Sequence, residues 1–116
     1  MGVKMIVHDS LHQKLSDTRI RNALQRALKQ TMYDLLKEAM KETPVDTGNL
    51  RRSHSVDMRL GSDAIEGLLR NSAEYWTYVN FGTSRQDPAN FVGKAFDKVQ
   101  PASKVKEYFN EFGGNG

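Results

Sequence analysis

From about Asp17 to Lys41 the residues Ile20, Ala23, Leu24, Ala27, Leu28, Thr31, Leu35 and Ala39 recur at steps of three and four. That spacing lines one side of an α-helix. Arg19, Arg21, Arg26, Lys29, Lys37 and Glu38 fall largely off the stripe. Ser16 or Asp17 can cap the start. A helix of about 25 residues at 1.5 Å rise is roughly 37 Å long. A compact chain of this size has a radius of gyration of about 13 Å, hence a diameter near ~35 Å. The helix therefore runs the full width of the domain or past it. Its stripe reads first as core, and an end or face of so long a helix is also available to a neighbouring subunit.

The rest of the chain offers a surface for that stripe. Val3 to His8 predicts a short strand, and Asp9 to Leu15 carries turn and helix-start signals, with Ser10 three residues before Gln13. Ser55 to Leu60 alternates, placing Val56, Met58 and Leu60 on one face and Ser55, Asp57 and Arg59 on the other. A turn at Gly61-Ser62-Asp63 and a second strand from Ala64 to Arg70 make a hairpin, with Gly67 marking a bulge. Tyr75, Tyr78 and Val79 are spaced for one or two helical turns. With Trp76 and Phe81 they form an aromatic cluster that reads as a plug packing this short helix onto the sheet. Gly82 to Asn90 reads as an exposed loop. Helical spacing returns from Pro88 in Ala89, Val92, Phe96 and Val99, breaks at Pro101, and resumes in Val105, Tyr108, Phe109 and Phe112. The expected class is α+β: a small antiparallel sheet packed against one long helix, with shorter C-terminal helices. Residues 1–112 are expected to form one domain, and 113–116 a flexible tail.

Composition removes several kinds of chemistry. Cysteine is absent, which excludes disulfides, thiolate nucleophiles and most structural zinc sites, and fits assembly in a reducing cytoplasm. Seventeen basic residues against 14 acidic give a net charge of +3, without the dense basic stripe of a dedicated DNA binder. No apolar run approaches the length of a membrane span. The N-terminus is too short and too soon polar for a secretory signal, and Ile6 stands where a myristoylation motif wants Ser or Thr.

The candidate reactive groups point the same way. His8 and His12, with Asp9 between, have a metal-like spacing only if helical, and a strand end and turn intervene, so they read as surface histidines. His54 lies near Arg51, Arg52 and Asp46 but has no second proton-transfer group marked by the sequence. Asp46-Thr47-Gly48 lacks the acidic partners of a calcium loop. Gly82-Thr83-Ser84-Arg85 lacks the lysine and glycine spacing of a phosphate loop. No catalytic residue, metal ligand or cofactor is assigned, and no enzymatic activity is expected. The alternative to a structural role is a small basic nucleic-acid-binding module using Arg51, Arg52, Arg85, Lys94 and Lys98 as phosphate contacts.

Between helix and hairpin stands Thr43-Pro44-Val45-Asp46-Thr47-Gly48-Asn49-Leu50-Arg51-Arg52-Ser53. Pro44 biases Thr43 out of the helical region, Asp46 and Thr47 suit a side-chain-capped turn, and Gly48 can take positive φ. Local physics does not account for the whole run. It resembles the Pro-Val-Asp-Thr-Gly-x-Leu-Arg-x-Ser signature of a tail-component family of long-tailed, lambda-like bacteriophages. Glu74 to Thr83 resembles the family's Tyr-x-x-Tyr-Val-Glu-x-Gly-Thr element, and Asp87 to Phe96 its Pro-Ala-x-Pro-Phe-Leu-x-x-Ala element. The departures are Asn80 in place of Glu, Trp76 in place of a small residue, and Asn90 in place of a second Pro.

The resemblance implies a virion structural protein of a phage or prophage, a tail-completion or head–tail joining component near the head–tail joint, assembled in the bacterial host cytoplasm. It implies self-association into a ring, hexameric by the same resemblance, around the DNA channel. The other partners implied are head–tail connector and tail proteins, with packaged DNA passing non-specifically and no membrane. The segments 43–53 and 82–90 are then the expected contacts. The contact residues would be Asp46, Thr47, Arg51, Arg52, Asn80, Thr83, Ser84 and Arg85. Pro44, Gly48, Leu50, Tyr75, Tyr78, Gly82 and Phe91 would shape the turns and core.

Overall fold

The computed structural model describes residues 2–8, 17–44, 49–61, 64–73, 76–82 and 87–113, with the backbone alone at 2–8 and at Thr77. In chain order the elements are β1 (Gly2–His8), α1 (Thr18–Glu42), α2 (Asn49–Arg52), β2 (His54–Leu60), β3 (Ala64–Asn71), α3 (Trp76–Phe81), α4 (Phe91–Val99) and α5 (Pro101–Glu111). This is an α+β architecture in which one long helix lies on an antiparallel sheet and is flanked by the C-terminal helices. The short helix α2 has no counterpart in the sequence-based order. The turn and helix-start signals of residues 9–15 lie outside the described residues.

Helix α1 starts where a capping carboxylate stands. Asp17 Oδ1 accepts from the Arg19 and Ile20 N–H groups at 2.9 and 3.3 Å, satisfying donors that the first turn leaves without partners. The helix stops at Thr43, whose backbone is extended (φ −75°, ψ 132°), as a residue before proline prefers. Its buried side is Ala23, Ala27, Leu28, Thr31, Met32, Leu35 and Ala39. Thr31 enters the core because its hydroxyl donates to the Ala27 carbonyl at 2.8 Å. Met32, outside the expected stripe, is fully buried and fills the space over the sheet.

Strand order is β1-β3-β2, antiparallel throughout. The expected bulge at Gly67 is absent: Gly67 pairs in unbroken register with Met5 on one side and Met58 on the other. Glycine suits the position because a Cβ there would come within 2.5 Å of Met32 Cγ, so its missing side chain gives Met32 of the helix room against the sheet. Ile65 and Leu69 flank Gly67 beneath α1 and join Leu28, Met32, Leu35, Ala39, Ala95 and Val99 in the main core. Val56 and Met58 are half-buried against it, while Leu60, expected on the same buried face, is 51 % exposed at the hairpin end.

A smaller core of Leu50, Ala73, Trp76 and Phe91 forms beside it. The aromatic plug is thus Trp76 alone of the described aromatics of α3. Tyr78 and Phe81 are 62 % and 68 % exposed, because a helix of under two turns buries one side only. Helix α4 begins at Phe91 rather than near Pro88, since Asn90 adopts a left-handed conformation (φ 47°). Gln100, also left-handed, separates α4 from α5, and Pro101 occupies the first helical position, where its missing N–H costs nothing. Helix α5 returns along α1: Tyr108 donates to Asp34, and Arg26 stacks 4.2 Å from the Phe112 ring. Lys98 of α4 pairs with Glu42. The molecule extends 51 × 23 × 21 Å with a radius of gyration of 15.8 Å, above the roughly 13 Å of a compact chain of this length.

Candidate assembly site

The described signature residues gather where α1 ends, β2 begins and β3 ends. Thr43, His54 and Asn71 are all buried there and bonded in a chain. The Thr43 hydroxyl donates to the Ala39 carbonyl, so it accepts from His54 Nε2–H at 2.8 Å. His54 Nδ1 then accepts from Asn71 Nδ2 at 3.1 Å. The Asn71 amide is held from both ends, since Nδ2 also donates to the Leu50 carbonyl at 2.9 Å and Oδ1 accepts from Ala73 N–H at 2.8 Å. The Phe91 ring meets the imidazole edge-on at 5.3 Å, and Trp76 lies 6.5 Å from Phe91 on another side. Every polar side-chain atom of this triad has a partner, as buried polar groups require. From its neighbours in sequence His54 reads only as an acid–base candidate. The missed signal is its phase, two residues before Val56 on the alternation of β2.

The imidazole here is neutral. Burial pushes the His54 pKa below its ordinary 6.5, and a second ring proton would meet the Asn71 amide hydrogens. The folded state therefore binds fewer protons than the unfolded state just below that value. Stability is complete above pH 6.5 and is lost as pH falls from 6.5 through the lower folded pKa. The expected result is a melting temperature that declines on acidification below 6.5, with that part of the profile flattened in His54→Gln, checked by calorimetry across pH.

Asn80 is not a surface contact. It is 2 % exposed, and its Oδ1 accepts from the Val92 N–H at 3.0 Å. Asn90 makes no side-chain cap at the start of α4, so Asn80 supplies the missing acceptor from outside the helix. The Asn80 and Val79 carbonyls also accept from Asn90 and Ala89 N–H, both at 2.9 Å, which ties α3 to the approach of α4. Asn80→Ala is expected to lower stability by about 1–2 kcal/mol in urea unfolding, the usual effect of losing a cap.

The other expected site residues divide. Asp46, Thr47, Gly48, Tyr75, Thr83, Ser84 and Arg85 lie outside the described residues. Leu50 and Phe91 are buried, Pro44 is exposed after the helix end, and Gly82 takes φ 78° as its N–H closes α3 onto the Tyr78 carbonyl. Arg51 is partly buried and donates from Nη2 to the Thr43 carbonyl at 3.1 Å, which ties it to the C-terminal end of α1, while Arg52 is exposed. With Lys98 paired to Glu42, two of the five cations of the nucleic-acid reading are engaged within the chain. Beside the junction an open groove of about 470 Å³ is lined by Ser55, Asp57, Arg70, Ser72 and Trp76, and crossed by the Arg70–Asp57 pair at 2.8 Å.

A long helix on a three-stranded antiparallel sheet, with its signature residues folded into a polar junction and aromatic residues turned outward beside it, defines a small α+β structural module. The HK97-gp10-like family, described as "Bacteriophage HK97-gp10, putative tail-component", matches residues 8–82, which contain α1, α2, the β2–β3 hairpin and α3. The chain belongs to this family of phage tail components. Its family places it among the structural proteins of the virion, which work in contact with other phage structural proteins. The matched region holds the first resembling segment and all of the second but Thr83, and ends before Asp87 to Phe96. No curated protein and no solved structure matches the chain.

Proposed function

We propose that the protein is a tail-completion or head–tail joining component that assembles as a ring, of six copies by family resemblance, around the DNA channel. Its role is assembly rather than catalysis. The observation that carries this reading is the pairing of family membership with two large aromatic side chains, Tyr78 and Phe81, presented to solvent within the matched residues. Adjoining apolar side chains at a surface mark places where proteins meet. A ring needs two different patches on one subunit, related by a rotation that closes. The small positive surplus suits a channel through which DNA passes without sequence-specific contact. Arg52 and the segment 82–90 are contact candidates, whereas Arg51 is occupied at the helix end.

Particles produced without this chain test the proposal. The expected result is an accumulation of separate DNA-filled heads and complete tails, which join when purified protein is added. Normal joined particles in its absence would remove the joining role.

A further inference from the structure

Among the described residues β1 and β2 are the two edges of the sheet, and its hydrogen bonds show which backbone groups point away from β3. Gly61 N–H donates to the Ala64 carbonyl and Ser72 N–H to the Ser53 carbonyl, so even-numbered residues of β3 address β2. Along an antiparallel strand the two backbone groups of one residue point to the same side, and the side alternates. On β2, Ser55, Asp57 and Arg59 therefore bond to β3, while the N–H and C=O of Val56, Met58 and Leu60 point away from the sheet. On β1 the same count leaves Lys4 and Ile6 pointing outward and Val3, Met5 and Val7 bonded to β3. Among the described residues no strand pairs with either edge.

Both edge strands are long for their sheet and regular. Each strand has seven residues, neither contains proline, and neither register is broken by a bulge. Natural proteins usually blunt such edges, because they template pairing with another chain. Of the charges on β2, Asp57 is on the face away from α1 and is already paired with Arg70. On the α1 side, Val56 and Met58 are only half-buried and Leu60 is largely exposed, so the core-facing row of β2 is incompletely covered by its own chain. The helix lies over β3 and β2.

We infer that the free edge of β2 takes β1 of a second copy, extending the sheet from subunit to subunit. This rests on the ring reading and names the surface that would close it. The two strands are complementary in length, and because both run antiparallel to β3 they run parallel to each other. A neighbour's β1 therefore adds to β2 as a parallel strand by rotation alone, without reversal. The contact is head-to-tail, using a different edge on each side, which is the kind of contact that closes into rings. The added strand would bond the outward groups of Val56 and Met58, and the neighbour would cover the exposed side of this row. With helices outside, the face lining the channel is the polar one that carries Asp57, Glu66 and Arg70.

Light scattering on the purified chain over a concentration series, with Val56→Pro and Lys4→Pro, tests the inference. Each proline removes an outward N–H without touching a bond to β3, so circular dichroism melts should show both variants folded. Lys4→Pro leaves the core under α1 unaltered should Val56→Pro weaken it. The expected result is a wild-type oligomer that forms with concentration and is lost in both variants. Oligomers that persist in both variants would overturn the edge contact and leave the ring reading standing. Loss in Val56→Pro with persistence in Lys4→Pro would mean β2 pairs with another β2, and would also overturn it. A wild-type chain that stays monomeric to its solubility limit would overturn the edge contact together with unaided ring formation.

Discussion

Phe91→Ala is expected to lower stability by about 3–5 kcal/mol, the range for removing a buried aromatic ring, and the melting temperature by roughly 10–20 °C. Phe91 is fully buried, and its ring meets both His54 and Trp76. Its removal opens a cavity between the signature junction and α3. Phe81→Ala is the matched control. Phe81 is of the same chemistry but lies mostly in solvent, so its loss should change stability by no more than about 0.5 kcal/mol. Denaturant unfolding of both variants checks the pair. Equal losses would mean that the small core is not organised around Phe91.

The second large effect is expected at Asn71. Asn71→Ala removes the donor to Leu50 C=O and His54 Nδ1 and the acceptor for Ala73 N–H in one step. Each buried group left without a partner costs about 1–3 kcal/mol, and the three share one site, so a total of about 3 kcal/mol is expected rather than a simple sum. The variant also removes the amide hydrogens that oppose a second proton on His54. Its melting temperature should therefore fall less steeply below pH 6.5 than that of the wild type. Calorimetry of the two proteins across pH reads both effects. A loss below about 1 kcal/mol would mean that water replaces the amide and that the junction is more open than its burial indicates.

The architecture was legible where one period dominated. The three- and four-residue steps of α1, the alternation of β2 and the glycine-containing turn after Leu60 each match the structure within a few residues. The errors fall where a tertiary contact overrode the local pattern. Met32 breaks the expected stripe because the missing side chain at Gly67 makes room for it. Gly67 itself suggested a bulge, since a glycine in a strand reads alike whether it bends the strand or admits a helix. Tyr78 shares the helical spacing of buried residues, yet of its helix Trp76 and the half-buried Val79 meet the small core and Tyr78 does not. Asn80 was legible as a departure from a family pattern but not as a cap, because its partner Val92 lies on a different helix. His54 and Asn71 are far apart in sequence and only the sheet register brings them side by side.

Those corrections change what the signature is for. Thr43, Leu50 and Arg51 are turned toward the chain's own junction. Tyr78, Phe81 and the open edge of β2 are left to face outward.

The most direct test of the account is immunogold electron microscopy of particles from the source culture, with antibody against this chain. The account predicts label confined to the head–tail joint. Particles that carry no label, from a culture shown to make the protein, would contradict it.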